Sequence, residues 1–250
     1  MPGLSGAAAA KRPEDPVLAD PKRVAVITAV VVPLTAVVFA VVADHGILAH
    51  IQRVDDAWLR LMVSSRSAPV TAVAKVLNLL GLVYVTLPVR IAIAGFLALR
   101  RRWWHMASFV SAVVLSEILI GTLKNAYDRA RPPGSLVATS GASFPSGHSI
   151  AASVTVLAAV IALVPIGRHR MTWSVVAVGF SMLMAASRAY LGAHWLSDAT
   201  AGILIGTSCA LLTALAVDWL QRRWLARRAG GATGPPGAHA ADPARQADRR

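Results

Sequence analysis

The sequence predicts an all-α membrane protein, a six-span transmembrane helical bundle with an additional interfacial amphipathic helix. Three observations predict it. The chain of 250 residues is 56% hydrophobic and only 15% charged, where soluble domains usually carry about 25% charged residues. Its apolar residues gather in uncharged runs close to the ~20 residues that cross a bilayer core. Its net charge of +13 sits largely in short Lys/Arg clusters beside those runs, as topology control at a membrane requires. No soluble basic domain remains once the runs are removed, so the charge does not indicate nucleic-acid binding.

The elements follow in order. Residues 1–23 are Ala/Pro-rich, charged and aperiodic, and are expected to form a disordered cytoplasmic N-terminus. Val24–Ala43 is apolar and longer than the roughly 7–15 residues of a signal-peptide core, so it reads as a retained span. In Ile47–Met62 the residues Ile47, Ile51, Val54, Trp58 and Met62 recur at helical spacing, with Asp55, Asp56 and Arg60 between them. That pattern predicts an amphipathic helix lying in the interface. Pro69–Leu80 reads as a short lead into the second span. Five further spans are expected at Leu82–Leu99, Met106–Leu123, Ser149–Pro165, Met171–Ser187 and Ala199–Val217. Residues 24–220 then form one membrane domain, and 221–250 a basic, disordered cytoplasmic tail.

Basic clusters set the orientation. Lys22-Arg23, Arg100-Arg101-Arg102, Arg168 with Arg170, and Arg222-Arg223 with Arg227-Arg228 fall on one side of a six-span plan. That side is the expected cytoplasmic one, and it carries Trp103, Trp104, Trp173, Trp219 and Trp224 as an interfacial aromatic belt. Both termini are then cytoplasmic, and the loops holding 124–148 and 188–198 face the periplasm or cell exterior. Two charges lie within spans: Arg90 in the second and Glu117 in the third. Ionisable groups at that depth rarely face lipid, and the two depths match, so a buried Arg90–Glu117 pair is expected. The other reading has Arg90 snorkelling and Glu117 protonated or lining a cavity. Gly202 and Gly206 form a small-residue pair in the last span, read as tight packing within the monomer. The single cysteine, Cys209, excludes an intrachain disulfide and a cysteine metal site.

Three groups of residues at the outer ends of spans carry the chemistry. Lys124, Arg131 and Arg188 are cations on the side where topology does not explain them. Arginine offers a planar fork to phosphate and stays charged; the plainer reading is headgroup binding or snorkelling. Pro145-Ser146-Gly147-His148 leads into the fourth span, where helix N–H groups favour an anion. Ser146 and Gly147 suit phosphate binding or an ordinary cap and turn. His148 suits protonation of a leaving oxygen, or is an exposed loop histidine. His194 and Asp198 stand one helical turn apart. A carboxylate on one imidazole nitrogen would leave the other free to attack phosphorus; Asp198 also suits a helix cap. A metal held by His148, His194 and Asp198 is disfavoured by the three cations around them.

Lys124 with Arg131-Pro132, Pro145-Ser146-Gly147-His148, and Ser187-Arg188 with His194 and Asp198 resemble the three signature motifs of the type 2 phosphatidic acid phosphatase (PAP2) superfamily. Tyr190-Leu191-Gly192 also resembles common members, while Ala130 stands where many have proline. The resemblance covers about residues 82–217. It implies a metal-independent, cofactor-free membrane phosphatase working through a phosphohistidine on His194, with Asp198 orienting it and His148 as general acid. Lys124, Arg131, Ser146, Gly147 and Arg188 would bind phosphate. The expected substrate is a lipid phosphate or diphosphate taken from the bilayer, undecaprenyl diphosphate first, with phosphatidate or phosphatidylglycerol phosphate as others. A lipid phosphotransferase is the alternative within the superfamily, and a non-catalytic lipid-binding or transport protein the alternative outside it.

Overall fold

The computed structural model describes residues 15–43 and 45–231, and among them it is helical with no strand. Eight helices follow one another: α1 Pro21–Ala43, α2 His45–Ser64, α3 Ala68–Leu80, α4 Val83–Leu99, α5 Trp103–Ala126, α6 Gly147–Leu163, α7 Arg168–Tyr190 and α8 Leu196–Gly231. The spans α1, α5 and α8 are each long and apolar enough to cross a membrane. A fourth is added if α3 and α4, bent by 54° at their break, count as one. α6 is apolar but shorter.

α8 is the hub of the bundle and packs against α1, α5, α6 and α7. Its approach to α6 depends on two missing side chains. A Cβ at Gly202 would lie 2.6 Å from Ser149 Cβ and 2.8 Å from the Ser146 carbonyl. One at Gly206 would lie 2.7 Å from the Ile150 carbonyl and collide with the Ser153 hydroxyl. The glycine pair therefore serves packing within the monomer, as the sequence suggested. α6 in turn carries the Pro145–His148 turn at its start, so this contact sets where that turn lies.

Two stretches expected to be irregular are ordered in their described parts. Residues 15–20 form a strap along the far end of α8: Val17 N–H donates to Gln221 Oε1 (3.2 Å) and Leu18 N–H to Asp218 Oδ1 (3.0 Å). Val17 and Leu18 are fully buried there. Composition hid this, because the partners of the strap come from about 200 residues away in sequence. The tail from 221 continues α8 to Gly231. Arg222 pairs with Asp218 one turn back, and Arg223 and Arg228 stack on Trp219 and Trp224 at 4.0 and 3.8 Å. Residues 1–14 and 232–250, which the disorder readings also cover, lie outside the described residues.

The two charges within the spans meet, but only the arginine is buried: the Arg90 side chain is 8% exposed and that of Glu117 52%. Arg90 Nη1 lies 2.6 Å from Glu117 Oε1, and Arg90 Nε donates to Thr155 Oγ1 at 2.9 Å. One guanidinium thus ties α4 to α5 and α6. Arg90→Met and Glu117→Gln are each expected to lower the unfolding midpoint in detergent, and the double variant to recover part of the loss. The coupling energy in that cycle should be roughly 0.5–3 kcal/mol; strictly additive losses would show that the contact carries no energy.

Candidate active site

The two loops 127–146 and 191–195 are laced together over one end of the bundle. Leu136 N–H donates to the Leu191 carbonyl (2.9 Å), Ser146 N–H to the Asp198 carbonyl (3.2 Å), and the Trp195 indole to the Ala130 carbonyl (2.8 Å). Gly192 makes the turn after α7 with φ 67°, a conformation that side chains disfavour. Phe144, fully buried, packs on Tyr127 and on Phe39 of α1, at 5.1 and 6.0 Å between ring centroids. These contacts fix the chain on either side of the signature residues.

His194 is 4% exposed, and its Nδ1 lies 2.7 Å from the Ser143 carbonyl. A carbonyl only accepts, so Nδ1 carries the proton and Nε2 keeps its lone pair. Arg131 Nη1 lies 3.3 Å from that Nε2. Burial first, then the charges of Arg188, Arg131 and Lys124, hold the imidazole well below the usual histidine range. His194 is therefore a neutral base facing cations. His148 lies in the field of the same three cations, with its Nε2 3.2 Å from the Asn78 carbonyl.

The cations are braced by carbonyl oxygens. Lys124 Nζ donates to the Ala142 carbonyl (3.0 Å). Arg131 donates to the carbonyls of Gly141 (2.9 Å), Ala193 (2.7 Å) and Ser140 (2.7 Å). Burial draws the Arg131 guanidinium below its ordinary value, while Asp198 acts in the opposite sense. Arg188, 2% exposed, donates through Nη1 to the Asn78 side chain. Ser146 caps α6, its hydroxyl accepting from Ser149 N–H (3.5 Å) and Ser149 Oγ–H (3.0 Å). Gly147 is the first residue of that helix.

Asp198 differs from its expected geometry. Its Oδ2 is 3.9 Å from His194 Nδ1, too long for a hydrogen bond. It accepts instead from Ser143 Oγ–H (2.5 Å), from Trp195 N–H (3.1 Å) as a cap of α8, and from Arg129 Nη1 (2.6 Å). Ser143 thus links the carboxylate to the imidazole: its hydroxyl donates to Asp198 and its carbonyl accepts from His194. The carboxylate one helical turn away cannot occupy the Nδ1 position because this backbone carbonyl already does.

Several residues around the site escaped the sequence reading. Arg129 donates through Nη2 to Asp55 Oδ2 (2.7 Å) and Gln52 Oε1 (2.7 Å) while Nη1 holds Asp198. Asp55, 2% exposed, also accepts from Ser197 N–H (2.9 Å) and Oγ–H (2.6 Å). The α2 helix is amphipathic with exposed Val54, Leu61 and Val63, but its Asp55 faces the protein rather than solvent. Asn78 holds both His148 and Arg188, and the only sign in the sequence was a lone amide in an apolar run.

The PAP2 superfamily profile matches residues 105–222. Over that stretch the chain is similar to the PAP2 superfamily. Phosphatidylglycerophosphatase B of Bacillus subtilis is 27% identical over 161 residues, covering 62% of this chain and 79% of that protein. A lipid A 1-phosphatase of Rhizobium etli is 36% identical over 123 residues, 45% of this chain and 50% of the relative, so the chain spans only half of that protein's length. The crystal structure of a transmembrane PAP2 type phosphatidylglycerolphosphate phosphatase from Bacillus subtilis superposes with a TM-score of 0.64 at 25% identity, over 78% of this chain and 96% of that one. The proteins so matched are named as phosphatases.

Arg129 holds Asp198, and Asp55 holds Arg129. Arg129→Met leaves two buried carboxylates without their shared cation, a change expected to cost about 3–5 kcal/mol. The unfolding midpoint of purified protein should fall sharply. In Asp55→Asn, which keeps the shape, kcat should fall more than KM rises; a KM effect alone would place Asp55 in substrate binding instead.

Proposed function

We propose that this protein dephosphorylates a lipid phosphate or diphosphate at the outer face of a cell membrane, without a metal, through a phosphohistidine on His194. The observation that carries the reading is the His194 imidazole: its Nδ1–H is committed to the Ser143 carbonyl, and its Nε2 faces Arg131 among three cations. Nε2 attacks phosphorus as the bond to the leaving oxygen breaks, and His148 gives that oxygen a proton. Lys124, Arg131 and Arg188 offset charge on the equatorial oxygens, with Ser146 and Gly147 at the start of α6 as further phosphate contacts. Water, giving its proton to His148, then attacks the phosphohistidine and frees phosphate and His194. Asp198 acts on His194 through Ser143.

The membrane domain of residues 24–220 crosses six times in this reading, by α1, the bent α3–α4 pair, α5, α6, α7 and α8. α7 carries exposed Val175, Val176, Val178, Met182 and Leu183, which suit lipid contact. The basic clusters at 100–102, 168–170 and 222–228 lie at the end away from the site, which favours both termini inside and the site outside. A lipid substrate is favoured by the apolar hollow of about 190 Å³ lined by Leu80, Gly81, Val89, Thr155, Phe180 and Met184. Gly81 at its mouth abuts the His148 ring, where a Cβ would collide. Both curated relatives are named as phosphatases of lipid phosphates. Undecaprenyl diphosphate is the first substrate to test, against phosphatidate and phosphatidylglycerol phosphate.

Phosphate release from these lipids in detergent is expected to persist in excess EDTA; full loss, restored by a divalent ion, would overturn the metal-free mechanism. His194→Ala should abolish turnover and the acid-labile phosphoenzyme. His148→Ala should slow poor leaving groups by about 10²–10⁴-fold and spare an activated aryl phosphate.

Orientation has its own test, since the native Cys209 is buried. Cysteine in place of exposed Thr139 should react with an impermeant thiol reagent in intact cells or spheroplasts. Cysteine in place of exposed His169 should not, and the reverse pattern would turn the site to the cytoplasm.

A further inference from the structure

A second polar hollow lies at the other end of α5. Lys124, at the active site, and His105 are on the same helix, separated by roughly 28 Å at 1.5 Å per residue. The hollow has a volume of about 440 Å³ and is lined by Arg102, His105, Arg170, Asp15, Pro16, Pro165 and Ile166. His105 is 1% exposed, and neither ring nitrogen has a hydrogen-bond partner among the described residues. A buried imidazole normally satisfies at least its N–H. Here the ring lines a space large enough to hold the missing partner.

The charges around that space are unbalanced in the same sense. Arg102 and Arg170 contribute two cations and Asp15 one carboxylate. Neither arginine forms an ion pair among the described residues. Arg170 is held rigidly: Nε donates to the Val164 carbonyl (3.0 Å), Nη1 to the Val17 carbonyl (3.1 Å) and Nη2 to the Ile161 carbonyl (2.7 Å). Three of its five N–H groups are spent, leaving two for a ligand. Its carbonyl partners do not cancel its charge. The hollow also opens at the N-terminal end of α5, where unpaired backbone N–H groups favour an anion. A rigid arginine, a second arginine, a helix start and an unpartnered imidazole converge without a ligand among the described side chains.

We propose that this hollow binds a phosphate-bearing anion, remote from and independent of the catalytic site. The phosphate accepts from His105, Arg102 and the two unspent N–H groups of Arg170, and Asp15 limits the occupant to one anionic group. The source is either a phospholipid headgroup of the adjacent leaflet or free phosphate. Exposed Trp103 beside the hollow marks an interface depth suited to a headgroup. The occupant bridges the 15–20 strap, the start of α5 and the α6–α7 turn, of which Arg170 bonds the strap and the end of α6.

The test uses the purified full-length chain and two probes. In nonionic detergent, radiolabelled inorganic phosphate should show a binding component that survives Arg188→Gln. In phosphatidylcholine nanodiscs doped with phosphatidylglycerol, native mass spectrometry should find phosphatidylglycerol retained on the protein. Arg102→Gln and His105→Leu should each weaken the responsible component by about tenfold or more, as expected for lost hydrogen bonds to a charged group. Both variants should keep wild-type hydrolysis of a soluble aryl phosphate, which also reports that they fold. Loss of retained phosphatidylglycerol assigns the site to a lipid headgroup. Loss of phosphate binding alone assigns it to the free anion. If His105→Leu fails to fold, Arg102→Gln, on a half-exposed side chain, decides by itself. Unchanged binding of both probes in the folded variants overturns the proposal.

Discussion

Arg129 sits between two buried carboxylates, and the end of the bundle that carries the candidate site is arranged around that contact. Its guanidinium holds Asp198 at 2.6 Å and Asp55 at 2.7 Å. Asp198 caps α8 and fixes Ser143; Ser143 fixes the tautomer of His194; Asp55 fixes Ser197 and brings α2 against the site. Three charges leave water together, which is favourable only when hydrogen bonds satisfy nearly every remaining position. Here Gln52, Ser143, Ser197 and the Trp195 N–H serve the carboxylates and both Nη groups, while the buried Arg129 Nε has no hydrogen-bond partner among the described residues. The set retains one net negative charge when both carboxylates are ionised, close to Lys124 and Arg131, and that charge helps hold the cations of the site together without phosphate.

This constraint works because the helices beneath it are tightly set. The α6–α8 contact at Gly202 and Gly206 brings backbone against backbone, leaving the start of α6 and the start of α8 side by side. Ser146 N–H then reaches the Asp198 carbonyl. Polar residues inside the bundle act in the same direction. Arg90 joins three helices through Glu117 and Thr155, and Thr35 of α1 meets Ser208 of α8 at 3.0 Å. Between apolar helices in lipid there is little hydrophobic drive, so close packing and such bonds decide the arrangement.

The two ends of the bundle use positive charge differently. At the candidate site Arg188 is buried and Lys124 and Arg131 are half-buried, all three braced on carbonyl oxygens. At the other end most arginines are exposed, stacked on tryptophans or paired one turn away. Arg170, half-buried, instead gives three of its five N–H groups to backbone carbonyls and, like Arg102, forms no ion pair among the described residues. Composition counts all of these residues alike.

The sequence by itself determined the all-helical architecture and the residues that gather at the site. Apolar runs of membrane length are a local property, and Lys124, Arg131, His148, Arg188 and His194 stand at the run ends whatever the packing. The Arg90–Glu117 pair was legible too, because two charges at matched depth in neighbouring spans have few other partners. Tertiary structure alone decided who supports whom. Asp198 and His194 share a helical turn, which suggested a direct bond; a backbone carbonyl from Ser143 takes that place, and no side-chain pattern signals a carbonyl. Asp55 read as the wet face of an interfacial helix, since nothing local showed that Arg129, distant in sequence, would fold against it. The strap at 15–20 and the full length of α8 were hidden for the same reason: composition reports what a segment offers, while order depends on partners that only the fold brings near.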